Sequence, residues 1–261
     1  MKSLKFEFPD NCPVDMNPEE WRARQELACC YRLFDAFGWH ELIFNHITVR
    51  VPGREDQFLI NPFGLMYREV CASNLVKIDL HGNIIGNSEY PVNPAGFVVH
   101  YAVHASRPDA HAVIHTHTTA GQAVACQQDG LLPTSFPALA FYEQLSYHDF
   151  EGVTVDLDES ARLATSLGSN SVMILRNHGL LACGPTLAVA FYRHYQLQRA
   201  CEVQLAAQSG GSQLIHCSSA VGTKMAKQFL REPQPGMLSN SELLYAAMLR
   251  WMTSQDASFL A

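Results

Sequence analysis

No apolar run in this chain approaches the roughly 20 residues that cross a bilayer as a helix, so no membrane partner is expected. No Cys-x-x-Cys pair occurs among the eight cysteines, Cys12, Cys29, Cys30, Cys71, Cys126, Cys183, Cys201 and Cys217. They fall mostly inside apolar helix or strand patterns, which predicts buried free thiols of a reducing cytoplasm rather than disulfides. Basic stripes are missing too: 18 Lys and Arg stand against 25 Asp and Glu, for a net charge of -7, which argues against nucleic acid as the main partner. The opening Met1-Lys2-Ser3-Leu4 lacks the charged-then-apolar pattern of an export signal, so a cytoplasmic location is expected. Internal repeats and low-complexity segments are also lacking. What remains is a chain of 261 residues, 48% apolar and only 16% charged, enough for one packed domain with small terminal additions.

Asn17-Pro18-Glu19-Glu20 reads as a helix start: Asn17 can cap, Pro18 suits the first turn, and Glu20 can reach back to the cap amide. The helix is expected to run to about Gly38, burying Leu27, Cys30, Tyr31, Leu33 and Phe34, behind an irregular arm anchored by Leu4, Phe6 and Phe8. Strand patterns follow at 46–51, 57–61 and 75–80, the first two joined by the polar Pro52-Gly53-Arg54-Glu55-Asp56. A helix over 95–106 stops at Arg107-Pro108-Asp109, and an apolar strand over 111–117 leads into another helix. Residues 128–157 read as an irregular loop, rich in the aromatic and titratable groups that line sites or interfaces. Next come a helix at 158–167, a strand ending in His178, a strand at 180–183 and a long helix from Thr186 to about Gln208; the tail adds helices at 219–230 and 241–253. The expected architecture is α/β, a three-layer α/β/α sandwich around a mixed, largely antiparallel sheet. An arm over 1–16 precedes the main domain over 17–209, and a helical extension occupies 210–261.

The chemistry concentrates at His115-Thr116-His117. Side chains alternate across an extended strand, so these two imidazoles face one spot. Neutral imidazole is a ligand for zinc, iron or nickel, and two on one rigid strand give up little freedom on binding. The same pair could instead end its strand in ordinary hydrogen bonds. A catalytic metal usually needs a third donor, and His178 supplies one, at the end of another apolar strand and just before Gly179, which permits a tight turn. His100 and His104, four apart on one helix face, could form a ligand pair or act as capping and packing groups, and packing is the preferred reading.

With Arg107-Pro108-Asp109 ahead of that pair and Asn177-His178-Gly179-Leu180 about sixty residues after it, the chain resembles the class II aldolase/adducin family over about residues 18–208. Phe58-Leu59-Ile60-Asn61-Pro62-Phe63-Gly64 and Asn74-Leu75-Val76-Lys77-Ile78-Asp79 resemble the family's early hairpin and third strand. The resemblance implies the sandwich fold, a homo-oligomer that is usually a tetramer, and a divalent metal held by His115, His117 and His178, Zn2+ first and Fe2+ as the alternative. It also implies a mechanism in which the metal, chelated by hydroxyl and carbonyl oxygens of a small-molecule substrate, acts as a Lewis acid and stabilises an enediolate.

The family's sugar-phosphate aldolases carry Ser-Ser-Glu where this chain has Pro94-Ala95-Gly96, and a Gly-Asn phosphate loop where it has Asn45-His46. The acid/base carboxylate is therefore absent. Losing donors to a dianionic phosphate points to a substrate without one. Candidates to replace the carboxylate are Tyr142, Glu143 and His148 in the aromatic loop, His46, and Glu89. Family aldolases take a proton from a tyrosine of a neighbouring subunit, and Tyr142 is its nearest analogue by position, so Tyr142 and Glu143 are the expected catalytic pair. Asn45, His46, Asn61 and Gly64 are the expected substrate contacts. The function implied is a metal-dependent lyase, of aldolase or decarboxylase type, acting on a small non-phosphorylated hydroxy- or oxo-acid. A three-histidine non-haem iron oxygenase and a non-catalytic adducin-like scaffold are the alternatives. The presence of all three histidines counts against the scaffold.

Overall fold

In the computed structural model the Asn17 side chain accepts hydrogen bonds from the amides of Glu19 (2.8 Å) and Glu20 (3.3 Å), and the first helix, α1 (Pro18–Ala36), starts there as its sequence predicts. The structure describes residues 4–152, 157–231, 233–234 and 236–261, with the side chains of residues 94, 95 and 157 outside the description. Strands β1 (His46–Arg50), β2 (Gln57–Ile60) and β3 (Val76–Asp79) form an antiparallel meander. Then come α2 (Pro94–Ser106), β4 (Ala112–Thr116) and α3 (Thr119–Ala125). The short α4 (Phe136–Leu139), β5 (Leu145–His148), α5 (Leu157–Leu167), β6 (Val172–Leu175) and β7 (Gly179–Gly184) precede the long α6 (Leu187–Ser209). Helices α7 (Ser219–Phe229) and α8 (Asn240–Gln255) follow.

All seven strands join one sheet in the order β3-β2-β1-β4-β7-β6-β5, antiparallel throughout except for β5 on β6. Alternation along each strand decides which layer a side chain enters. Ala112 and Ile114 of β4 pack with α1, α6 and α8, whereas Val113 packs with α2 and α5 on the other face. Each fully enclosed large apolar side chain, such as Leu27, Phe34 or Ile47, contributes on the order of 2 kcal/mol. The sandwich and its mixed sheet are as expected.

One stretch departs from the sequence reading. The stretch read as an irregular loop contains β5, paired in parallel with β6 through Leu145–Val172 to His148–Leu175. Four alternating residues are a weak signal, and the partner lies more than twenty positions away. The tail also does more than extend the domain. Tyr245, Leu249, Met252, Phe259 and Leu260 enter the same cluster as α1, and the Tyr245 hydroxyl donates to the Glu26 carbonyl at 2.7 Å. Among the described residues no helix is long and apolar enough to cross a membrane.

Candidate metal centre

β4 and the turn between β6 and β7 bring three imidazoles together. His115 lies within β4, opposite Leu181 of β7, and His117 follows directly after the strand's last residue, Thr116. His178 occupies the turn that the Leu175–Gly179 pair closes, where Asn177 adopts a left-handed φ of 55°, a conformation Asn tolerates better than most residues. The turn presses against β4: a Cβ at Gly179 would lie 2.2 Å from the Thr116 carbonyl oxygen. Gly179→Ala is therefore expected to lower stability by about 1–3 kcal/mol through overpacking and to carry His178 away from its neighbours. Denaturant titration and metal analysis of the variant check both effects.

Nε2 of His117 stands 2.8 Å from Nε2 of His115 and 2.9 Å from Nε2 of His178. The potential ligand atoms of all three lie within 4.8 Å of one another. The His115 tautomer is set from behind. Its Nδ1 is 2.9 Å from the Leu180 carbonyl oxygen, which only accepts, so Nδ1 carries the proton and Nε2 presents a lone pair. Burial, reinforced by the neighbouring imidazoles, keeps the rings neutral: His117 is lowered to about 4, His115 is held well below the usual range, and His178 is lowered as well. Neutral rings are the metal-binding form. A divalent cation engages three lone pairs at once, whereas hydrogen bonding among neutral rings satisfies them only in pairs. The donor set and its second-layer support thus fit a divalent metal.

The trio lines a cavity of about 440 Å³, shared with the apolar Phe44, Val99 and Phe150 and the polar Glu41, His46 and Gln122. No Lys or Arg is among the described residues that line it. The His117 backbone is fixed from two sides: its amide donates to Asn45 Oδ1 at 3.1 Å, and its carbonyl accepts from Gln122 Nε2 at 2.5 Å.

The sequence profile of the Class II Aldolase and Adducin N-terminal domain matches residues 25–205, a span that carries all three histidines. The chain belongs to the class II aldolase and adducin family. It is 46% identical over 254 residues to a Pseudomonas aeruginosa protein whose name places it with the class 2 aldolases, with 97% of each chain covered. Rattus norvegicus alpha-adducin is 48% identical over 198 residues, which make up 74% of this chain and 27% of that longer protein. The solved L-fuculose 1-phosphate aldolase from Glaciozyma antarctica is similar with a TM-score of 0.80 at 26% identity, over 95% of this chain and 96% of that one.

Within this class II aldolase fold the expected site residues part company. His46 lines the cavity, directly across from His115 in the β1–β4 register. Asn45 faces inward: its Nδ2 donates to the Trp39 carbonyl at 3.0 Å while its oxygen accepts from the His117 amide, so it supports the backbone of a metal-site histidine and does not line the cavity. Asn61 is buried with its Oδ1 3.1 Å from the Tyr31 hydroxyl, and Gly64 sits in a turn with φ 104°; neither lines the cavity. Tyr142 and Glu143 do not line the cavity of their own chain either. They line a separate pocket of about 200 Å³, where the Tyr142 ring lies so close under α7 that a Cβ at Gly222 would come within 2.6 Å. The reason is β5, which carries the first part of that loop to the sheet edge, with β6 and β7 between it and β4. Among the described residues of that loop, Phe150 and Gly152 return to the cavity. His148 is turned to Ser166, 2.9 Å from its hydroxyl, and Glu89 is exposed away from the cavity. The side chains of Pro94 and Ala95 lie outside the described residues. Glu41, Phe44 and Gln122 were missed by sequence reasoning; Gln122, five residues past His117 in the first turns of α3, carried the one usable signal.

Proposed function

We propose that this class II aldolase family member is a metal-dependent lyase, of aldolase or decarboxylase type, acting on a small non-phosphorylated hydroxy- or oxo-acid. The observation that carries the reading is the convergence of three neutral imidazole nitrogens on the wall of an otherwise partly apolar cavity. A divalent cation held by His115, His117 and His178, Zn2+ first and Fe2+ as the alternative, supplies Lewis acidity toward carbonyl and hydroxyl oxygens. The chain's own residues do the rest. Leu180 and Asn45 orient the ligands through a carbonyl and a side-chain amide. Phe44, Val99 and Phe150 give the cavity an apolar wall beside the trio. Glu41 is the one carboxylate among the described lining residues, and it takes the proton-transfer role that Gly96 leaves open. Without a lining Lys or Arg, a dianionic phosphate has no charge-assisted donor here, whereas a single carboxylate needs only the metal as counter-charge. A homotetramer in the cytoplasm completes the proposal.

Protein purified without chelator is expected to release an oxo-acid or aldehyde from a panel of hydroxy acids, with no oxygen uptake, and to lose that activity to a chelator. Oxygen consumption by iron-loaded protein contradicts the lyase in favour of an oxygenase. The identity to alpha-adducin supports a second reading, a non-catalytic scaffold, which predicts no stoichiometric metal and no turnover.

A further inference from the structure

His46 keeps two unused nitrogens beside the imidazole trio. The residue is 3% exposed, and neither Nδ1 nor Nε2 has a hydrogen-bond partner. A buried polar group left unsatisfied costs about 1–3 kcal/mol, and such groups call for an explanation. His46 is one of the residues that line the cavity, so a molecule bound there lies beside a ring whose two nitrogens are closed to solvent and unpartnered. The site is built for the ring. A Cβ at Gly96, in the first turn of α2, would fall 2.1 Å from His46 Cε1 and 2.2 Å from Nδ1, so the imidazole fills the space that a side chain at 96 would need.

Among the described residues, no hydrogen bond from behind reaches the ring. His104 Nδ1 is 3.0 Å from the Ala110 carbonyl, so it carries the proton, and its Nε2 accepts from the Thr48 hydroxyl at 2.7 Å. The Thr48 oxygen then accepts from His100 Nδ1, also at 2.7 Å. That commits His100 Nδ1 and leaves its Nε2 without a partner, and the ring stands edge-on to His46 with centroids 6.1 Å apart, too far for a direct hydrogen bond.

We propose that His46 determines specificity by taking up an uncharged hydroxyl of the substrate, on a carbon beyond the two oxygens that meet the metal. A hydroxyl both donates and accepts, so it can bond to either nitrogen of a neutral imidazole. A second carboxylate or a phosphate only accepts, and brings charge that neither His46 nor any lining Lys or Arg balances. The inference rests on the metal-centre reading and narrows the substrate to acids carrying a further hydroxyl.

The test is calorimetric titration of zinc-loaded protein with lactate and with glycerate. Both offer a carboxylate and a 2-hydroxyl to the metal, and only glycerate has another hydroxyl. Wild-type protein is expected to bind glycerate about tenfold more tightly than lactate, the worth of one buried hydrogen bond. His46→Leu, which keeps volume without hydrogen bonding, should bring that ratio close to one while zinc content stays unchanged. Gly96→Ala should do the same by displacing the ring, a second route if His46→Leu fails to fold. A wild-type ratio near one, or a tenfold ratio that survives both substitutions, overturns the inference and leaves the metal centre standing. Failure of both acids to bind zinc-loaded wild-type protein overturns the hydroxy-acid reading itself, and the inference with it.

Discussion

Replacing His117 with Ala is expected to drop bound metal from about one equivalent per chain to below about a tenth, since three protein donors are the usual minimum for a catalytic site. Turnover should fall with it. His117 is the decisive position because its Nε2 is the shared neighbour, 2.8 Å from His115 and 2.9 Å from His178. The residue lies just past the end of β4 and is only partly buried, so the sheet does not depend on its ring. Elemental analysis, circular dichroism and kcat together check the prediction: metal and activity lost, secondary structure kept. A His117→Ala protein that still holds a full equivalent of metal contradicts the assignment.

Acid should unfold the protein through histidines outside the trio. His104 and His194 are both fully enclosed, and burial pushes each from 6.5 down to about 3. The unfolded chain takes up protons near 6.5 that the folded chain refuses until about 3. The stability these neutral rings contribute is thus fully present above about 6.5 and is lost as pH falls. Each ring removes up to about 1.4 kcal/mol per pH unit, and because the slope is only half developed at pH 6.5 the pair costs about 3 kcal/mol between pH 6.5 and 5, a large share of the usual 5–15 kcal/mol. Guanidinium titrations at pH 7.5, 6 and 5 should show the midpoint falling steeply, and a protein with His104→Gln and His194→Gln should show a shallower slope. An equal slope in the two proteins counts against the burial argument.

Much of this was legible because the signals were local. The Asn17 cap, the alternation of 46–50 and 57–60, and the two-residue spacing of His115 and His117 each depend on neighbouring residues, and the structure has the corresponding helix, strands and facing rings. His178 was within reach because Gly179 marks the close approach of its turn to β4. What was not legible was long-range or face-dependent. Asn45 and His46 are adjacent, yet alternation sends one toward Trp39 and the other into the cavity, so both could not face a substrate. Tyr142, expected as the analogue of a tyrosine that acts from a neighbouring subunit, lies at another pocket of its own chain, where a pairing of β5 with β6 invisible in so short a strand carries the loop. Glu41 and Phe44 come from the irregular segment between α1 and β1, where no periodicity says which way a side chain points.

The central claim is that one divalent cation sits among three imidazoles, and anomalous diffraction from crystals grown without chelator tests it most directly. The predicted result is a single metal peak bonded to Nε2 of His115, His117 and His178 at about 2.0–2.1 Å, with its remaining positions open to the cavity. A peak elsewhere, or rings joined only to one another and to protein groups in metal-supplemented crystals, contradicts it.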